Sequence, residues 1–360
     1  MALRKALLVL LLGALLTPWS AAFANKYDVL ELPATPSEKA IHSSMFFVGK
    51  FGNRYFAAGQ MGHILYSDDN GTSWTQAQVP VRSTILDVYF VNDQLGWAVG
   101  HEGLILHSSD GGKSWVKQYD GLRYGQEGLA YYTALSEQNP DNELYPALVG
   151  EMEFAIEQGA DKPLFKVYFH DENYGHAIGA YGMALVTRDG GTTWTPNLEN
   201  YENDNFNHMF DFAPLPDQGR FFITGEAGLF LIGDINIKAA KRVHSVPWEG
   251  SFFASVAAGD GAIVLGGLRG RMFRTADEGQ SWIVVEKPPT SALVASTRTK
   301  DGRLVFGGVA GEILVSTDEG FTFTLAAASP QPIFDMAEGD GNTLLIAGPK
   351  GILSVTLAPL

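Results

Sequence analysis

Between residues 85 and 119 the chain alternates short apolar runs with turn formers: ILDVYF, VNDQ, LGWAVG, HEG, LILHS, then SSDGGKSW leading into SWVKQY. Runs of this length, bounded by Gly, Asp and Asn, predict four strands separated by tight turns. The unit recurs. The pair G-x-x-G appears at Gly59/Gly62, Gly100/Gly103, Gly179/Gly182, Gly225/Gly228, Gly267/Gly270, Gly308/Gly311 and Gly348/Gly351. Successive units start about 41 residues apart, with one gap of 79. Four strands per unit and seven units predict an all-β, seven-bladed β-propeller.

The ends and the gap modify this ring. The last unit supplies PIFDMAEG, TLLIAG and GILSVTL, one strand short of four. The strand-like YDVLEL at Tyr27–Leu32 has no unit of its own. It is expected to complete the last blade from the N-terminal side, closing the ring and removing an edge. The surplus residues of the long gap, 119–163, read as a helical insert between blades 2 and 3. Leu144, Leu148, Val149, Met152 and Ile156 recur at helical spacing, Pro146 stands in a first turn, and Gly159 is a stop. GQEGLAYYTALSEQ before it predicts a second short helix.

Composition sets the compartment. Arg4 and Lys5, the apolar Ala6–Leu16 and the small residues Ala22 and Ala24 form a signal peptide over 1–24, with cleavage expected after Ala24. Residues 25–360 then form one propeller domain, periplasmic or secreted and expected to be a monomer. Cysteine is absent, so stability must come from the core. With Arg4 and Lys5 removed, 23 basic residues face 40 acidic ones, a balance of −17. Such a chain repels nucleic acid and anionic lipid, and neither is an expected partner.

Eight residues after the first glycine of five G-x-x-G pairs comes a box: SDDNGTSW, SSDGGKSW, TRDGGTTW, TADEGQSW and STDEGFTF. Asp69, Asp110, Asp189, Asp277 and Asp318 suit tight turns, in which a carboxylate accepts backbone N–H groups and the glycine two residues on takes positive φ. The aromatic that ends each box is expected to pack on the sheet. A calcium loop would need later carboxylates that are missing, and no metal or cofactor is expected. These boxes resemble the BNR/Asp-box repeat found in sialidases and other propellers. Together with the G-x-x-G pairs and the strand ending GWAVG (Gly96–Gly100), they make the mature chain similar to the photosystem II stability/assembly factor family. That resemblance implies a chaperone-like factor that binds new membrane subunits. Relatives in non-photosynthetic bacteria often lie beside genes for exporters of the resistance-nodulation-division type. The family's photosynthetic members carry an arginine-rich patch, whereas here only Arg269, Arg271 and Arg274 cluster.

Antiparallel strands send alternate turns to opposite faces. The boxes then share one face, and the G-x-x-G turns, the inter-blade links and the insert share the other. The expected partner-binding residues are Arg82, His101, Glu102, Tyr181, Glu226, Arg269, Arg271 and Lys350. Deeper in the channel, Phe46, Asp87, Lys166, Asp211, Ala254, Ala295 and Asp335 form one expected level, with the three aspartates placed to hydrogen-bond adjacent strands or to bind a cation together, the first being favoured and no metal expected. A sialidase would need an arginine triad and an arginine-isoleucine-proline signature, which is absent. No Ser-based triad is visible, and the best acid pair is Glu102 and Glu226 with Tyr181 between. The reading is therefore a non-catalytic exported scaffold that binds a membrane protein or its assembly intermediate, such as an exporter of that type. A glycan-binding or glycoside-hydrolysing propeller is the alternative.

Overall fold

The computed structural model describes residues 28–215, 219–235, 239–288 and 290–358. The expected signal peptide and cleavage point lie outside the described residues. Seven antiparallel meander sheets follow one another along the chain, spanning 45–76, 85–119, 164–196, 209–242, 252–284, 293–328 and 335–356. Their innermost strands are Met45–Phe51, Ile85–Phe90, Leu164–Phe169, Met209–Leu215, Phe252–Ala257, Leu293–Arg298 and Asp335–Glu338. Each contacts the next in chain order, and the seventh contacts the first. The sheets are the blades of a ring, numbered 1 to 7.

Apart from its first residue in blades 1, 4 and 7, each second strand is buried along its length, as in GWAVG of blade 2, because both of its faces meet neighbouring blades. Aromatics fill the seams: Phe56 of blade 1 stacks on Phe90 of blade 2 at 4.4 Å, and Phe169 of blade 3 on Trp97 of blade 2. Side chains also bridge the blades. Asp87 accepts the N–H of Val167, Asp211 that of Ser255 and Asp335 that of Val48, each at 3.0 Å. A carboxylate on the inner strand of one blade thus satisfies an inner-strand donor of the next.

The closure differs from the sequence expectation. Blade 7 has three strands among the described residues. Tyr27 lies outside those residues, and Asp28–Leu30 is a 3-10 turn rather than a strand. Burial explains this. Leu30 is enclosed with Val79, Val81 and Ile85 at the seam of blades 1 and 2, in a cluster that holds no residue of blade 7. The Val29 carbonyl accepts the N–H of Arg82, and Lys117 Nζ donates to the Leu30 carbonyl and pairs with Glu31. Another turn, Ala40–His42, abuts the outer strand Gly351–Thr356 instead. The ring closes through Asp335 to Val48, the Tyr55 hydroxyl donating to the Glu338 carbonyl, and Phe46 stacked on Phe334 at 5.1 Å.

Two helices separate blades 2 and 3, α1 (Gly121–Gln138) and α2 (Leu144–Gln158). Asp120 caps α1 by accepting the N–H groups of Leu122 and Arg123. Tyr124 and Tyr132 of α1, with Leu148 and Met152 of α2, join the largest hydrophobic cluster alongside residues of blades 2, 3 and 4. Tyr131 and Tyr132 both donate to Glu199, and the Leu198 N–H donates to Tyr132. The hairpin is thus part of the core. Leu144 and Ile156, expected on its buried face, are exposed, because α2 turns Leu148, Met152 and Ala155 inward.

Candidate functional site

The boxes resolve into one repeated geometry. In SSDGGKSW, Asp110 Oδ1 accepts the Ser108 hydroxyl at 2.9 Å and the Ser114 N–H at 3.0 Å. Its Oδ2 accepts the Ser114 hydroxyl at 2.6 Å, while Ser108 Oγ accepts the Gly112 N–H. The Trp115 indole donates to the Gly112 carbonyl and its ring meets Phe90 edge-on. The carboxylate and hydroxyl bonds recur around Asp69, Asp189, Asp277 and Asp318, and the indole bond recurs at Trp74. Every hydrogen bond these aspartates accept serves the turn itself. The box also presses against the preceding blade: a Cβ at Gly112 would meet Phe56 of blade 1 at 2.3 Å, and one at Gly320 would meet Val264 of blade 5 at 2.5 Å. Arg54 bridges two boxes, pairing with Asp68 and donating to the Gly111 carbonyl. Among the described residues, no group of three or more His, Asp or Glu converges as a metal site.

The opposite face carries the G-x-x-G turns. Met61, Glu102, Tyr181, Ala227 and Arg269, the residues before the second glycines, all adopt positive φ between 52° and 61°. Met61, Tyr181, Leu268 and Val309 are exposed apolar side chains at these tips. The hairpin joins this face, with Gly121 against Gly103. Phe154 of α2 is half exposed, and Lys162 Nζ lies 5.4 Å from its ring centre and 5.8 Å from that of Tyr181. His208 meets Tyr181 edge-on at 4.7 Å and continues to Phe165 and Phe210. An apolar path thus runs from the insert to the central channel.

At the channel mouth, the innermost strands of blades 1 to 6 each carry a β-bulge. The residue left without a ladder partner is Phe46, Leu86, Phe165, Phe210, Phe253 or Val294. Such bulges re-aim a side chain. Here all six, with Phe334 of blade 7, line one cavity of about 350 Å³ that also touches His101, Lys166 and Asp335. Each ring member is partly buried. Sequence counting placed Phe46 on one level with Asp87, Lys166 and Asp335. The bulge residue makes two levels, an apolar ring above and the charged residues below. On the lower level, Lys166 Nζ lies 3.2 Å from Asp87 Oδ1 and 3.9 Å from Asp211 Oδ1. Burial would lower the Lys166 pKa, but Asp87, Asp211 and Asp335 outweigh it and hold it above the ordinary lysine range. Burial, partly countered by Lys166 and the Val48 N–H, pushes Asp335 up to about 7.

The residues singled out from sequence divide. His101 reaches the mouth cavity, and Tyr181 joins it through His208, which sequence reading did not single out. Arg269, Arg271 and Lys350 are exposed on the same face. Arg82 Nε holds the Pro33 carbonyl, so its side chain anchors the N-terminal segment. Glu102 accepts the Ser83 hydroxyl, and Glu226 accepts the His208 N–H. Arg274 parts from Arg269 and Arg271, because it is buried, pairs with Asp260 and donates to the Glu319 carbonyl in a box turn. Sequence reading missed six of the seven mouth residues.

The family model described as photosynthesis system II assembly factor YCF48 matches residues 67–144 and 153–323. The chain belongs to that family. Among solved structures, "YCF48 bound to D1 peptide" is similar at 15% identity, covering 89% of this chain and 95% of that one, with a TM-score of 0.61. YCF48 from Cyanidioschyzon merolae is similar at 14% identity, covering 90% and 98%, with a TM-score of 0.61. The WD40 propeller domain of Doa1 reaches a TM-score of 0.62 at 10% identity, covering 91% and 95%. At these identities the likenesses establish the propeller fold. No curated protein matches the chain in sequence.

Proposed function

We propose that this protein is a non-catalytic exported scaffold that binds a membrane protein or its assembly intermediate through the G-x-x-G face. One observation carries the reading: six bulges and Phe334 turn seven apolar side chains into the channel mouth, instead of burying them between blades. A partly buried apolar ring, bordered by Met61, Tyr181, Leu268 and Val309, is costly in water and is repaid when a partner covers it. Family membership and a solved family member with a bound peptide support the same reading. The family resemblance adds an exporter of the resistance-nodulation-division type as the partner to test first.

The test is capture from detergent-solubilised membranes of the native cell, with mass spectrometry to identify what is retained. The double variant Met61→Ser/Tyr181→Ser alters two exposed side chains and should keep the melting temperature. It should lose an integral membrane partner that the unaltered protein retains. Equal retention by both proteins would refute the reading. Hydrolysis of a glycan by the unaltered protein would replace it with the glycosidase alternative.

A further inference from the structure

The floor of the mouth shows what enters it. Three inner-strand carboxylates, Asp87, Asp211 and Asp335, surround the single ammonium of Lys166. Lys166 forms its short contacts with the first two. Among the described residues, Asp335 has no cation within 4.0 Å: its Oδ2 accepts the Val48 N–H at 3.0 Å, and the residue lines the mouth cavity beside Lys166. Charge at this level is therefore negative in excess. Above it stand five phenylalanine rings, whose π-faces attract cations and offer anions nothing.

The dimensions restrict the occupant further. A cavity of about 350 Å³ is the size of a small-ligand pocket. An α-helix, about 10–12 Å across with its side chains, is too thick to enter it. A single long side chain fits, with its stem against the phenylalanines and its head toward the carboxylates, as lysine and arginine pack elsewhere.

We propose that the channel mouth receives one lysine or arginine side chain from an otherwise apolar, extended segment of the partner protein. The stem lies in the seven-membered apolar ring, the charged head meets Asp335, and the flanking apolar residues cover Met61, Tyr181 and Leu268. This rests on the proposed use of the G-x-x-G face and adds the chemistry of the bound segment. Burial holds Asp335 partly protonated near neutral pH, and the incoming cation replaces that proton.

The test uses the mature chain and three fluorescein-labelled octapeptides that differ only at one central position, lysine, norleucine or glutamate, between valines. Fluorescence anisotropy at about pH 8 should give a Kd for the lysine peptide at least about tenfold below that of norleucine, with glutamate the weakest. Asp335→Asn keeps an acceptor for the Val48 N–H, and should bring the lysine peptide to within about twofold of norleucine while leaving norleucine unchanged. Phe210→Ala should weaken both. If lysine and norleucine bind equally and both remain sensitive to Phe210→Ala, the cation inference is overturned and the apolar mouth stands. If no peptide binds, the mouth reading falls with it. Comparing peptides on the unaltered protein decides the matter even where Asp335→Asn does not fold.

Discussion

Lys166→Met should show that the lower channel is held together by charge. At an effective dielectric of about 20, the attraction of Nζ to Asp87 at 3.2 Å is about 5 kcal/mol, and to Asp211 at 3.9 Å about 4 kcal/mol. Desolvation of the ammonium offsets several kcal/mol of this, and about a third of the side chain still reaches channel water. Removing one partner of a buried ion cluster costs about 3–5 kcal/mol, so about 3 kcal/mol is expected here. The loss must depend on pH. A lysine with a raised pKa contributes its full stability below the unfolded value of 10.5, hence throughout the range from about 5 to 8 in the native protein. Asp335 is also raised, from 3.8 to about 7, so its favourable contribution is lost as pH rises through about 7. Without Lys166 only the Val48 and Met336 N–H groups counter that loss. Urea denaturation followed by tryptophan fluorescence should give a deficit of about 3 kcal/mol near pH 8 and a smaller one near pH 5, where Asp335 is protonated. A deficit that is absent, or equal at both pH values, would refute the electrostatic account.

The remaining predictions concern the boxes and the insert. Asp110→Ala removes the acceptor for Ser108, Lys113 and Ser114, and should lower stability by about 1–3 kcal/mol in chemical denaturation. Calcium should leave the native melting temperature unchanged, as a turn carboxylate requires and a metal loop does not. The hydroxyl and N–H of Ser73, then Ser67, hold Asp69 down at about 2, below its ordinary 3.8. Its contribution is present above about 3.8 and lost as pH falls through about 2, so a carboxyl titration followed by NMR should place Asp69 well below the exposed aspartates. Gly103→Ala puts a Cβ 2.8 Å from the Gly121 Cα at a φ of +62°. It should cost about 1–3 kcal/mol and loosen α1, seen as faster amide exchange at Tyr124.

How much of this was legible in the sequence depends on which contacts define each feature. The box and G-x-x-G periods are local, so the blades and their two faces follow from turn chemistry and strand length alone. The fate of YDVLEL does not, because alternation marks a strand without saying whether Leu30 finds a ladder or a seam. Here the seam with Val79 and Val81 won. The mouth was within reach: Leu86, Phe165, Phe253, Val294 and Phe334 all stand 14 residues before a first glycine, with Phe46 at 13 and Phe210 at 15. Counting to the next position instead found the aspartates, since a bulge adds a residue that a period-two reading does not anticipate. The clustering of Arg269, Arg271 and Arg274 in sequence misled for a related reason. Arg274 lies along the strand Met272–Thr275 and ends on the other face. The insert is a further case. Helical spacing marks its helices without saying where they dock, and Tyr124 and Tyr132 place it in the core, so excising it would open blades 2 to 4.

The claim at the centre of this account is that partners meet the G-x-x-G face at the channel mouth. Site-specific photo-cross-linking in the native cell tests it directly, with a benzoylphenylalanine placed at Tyr181 or, on the box face, at the exposed Thr72. The account predicts a discrete adduct with a membrane protein from position 181 and none from position 72. An adduct from position 72 alone, or adducts of equal yield from both, would contradict it.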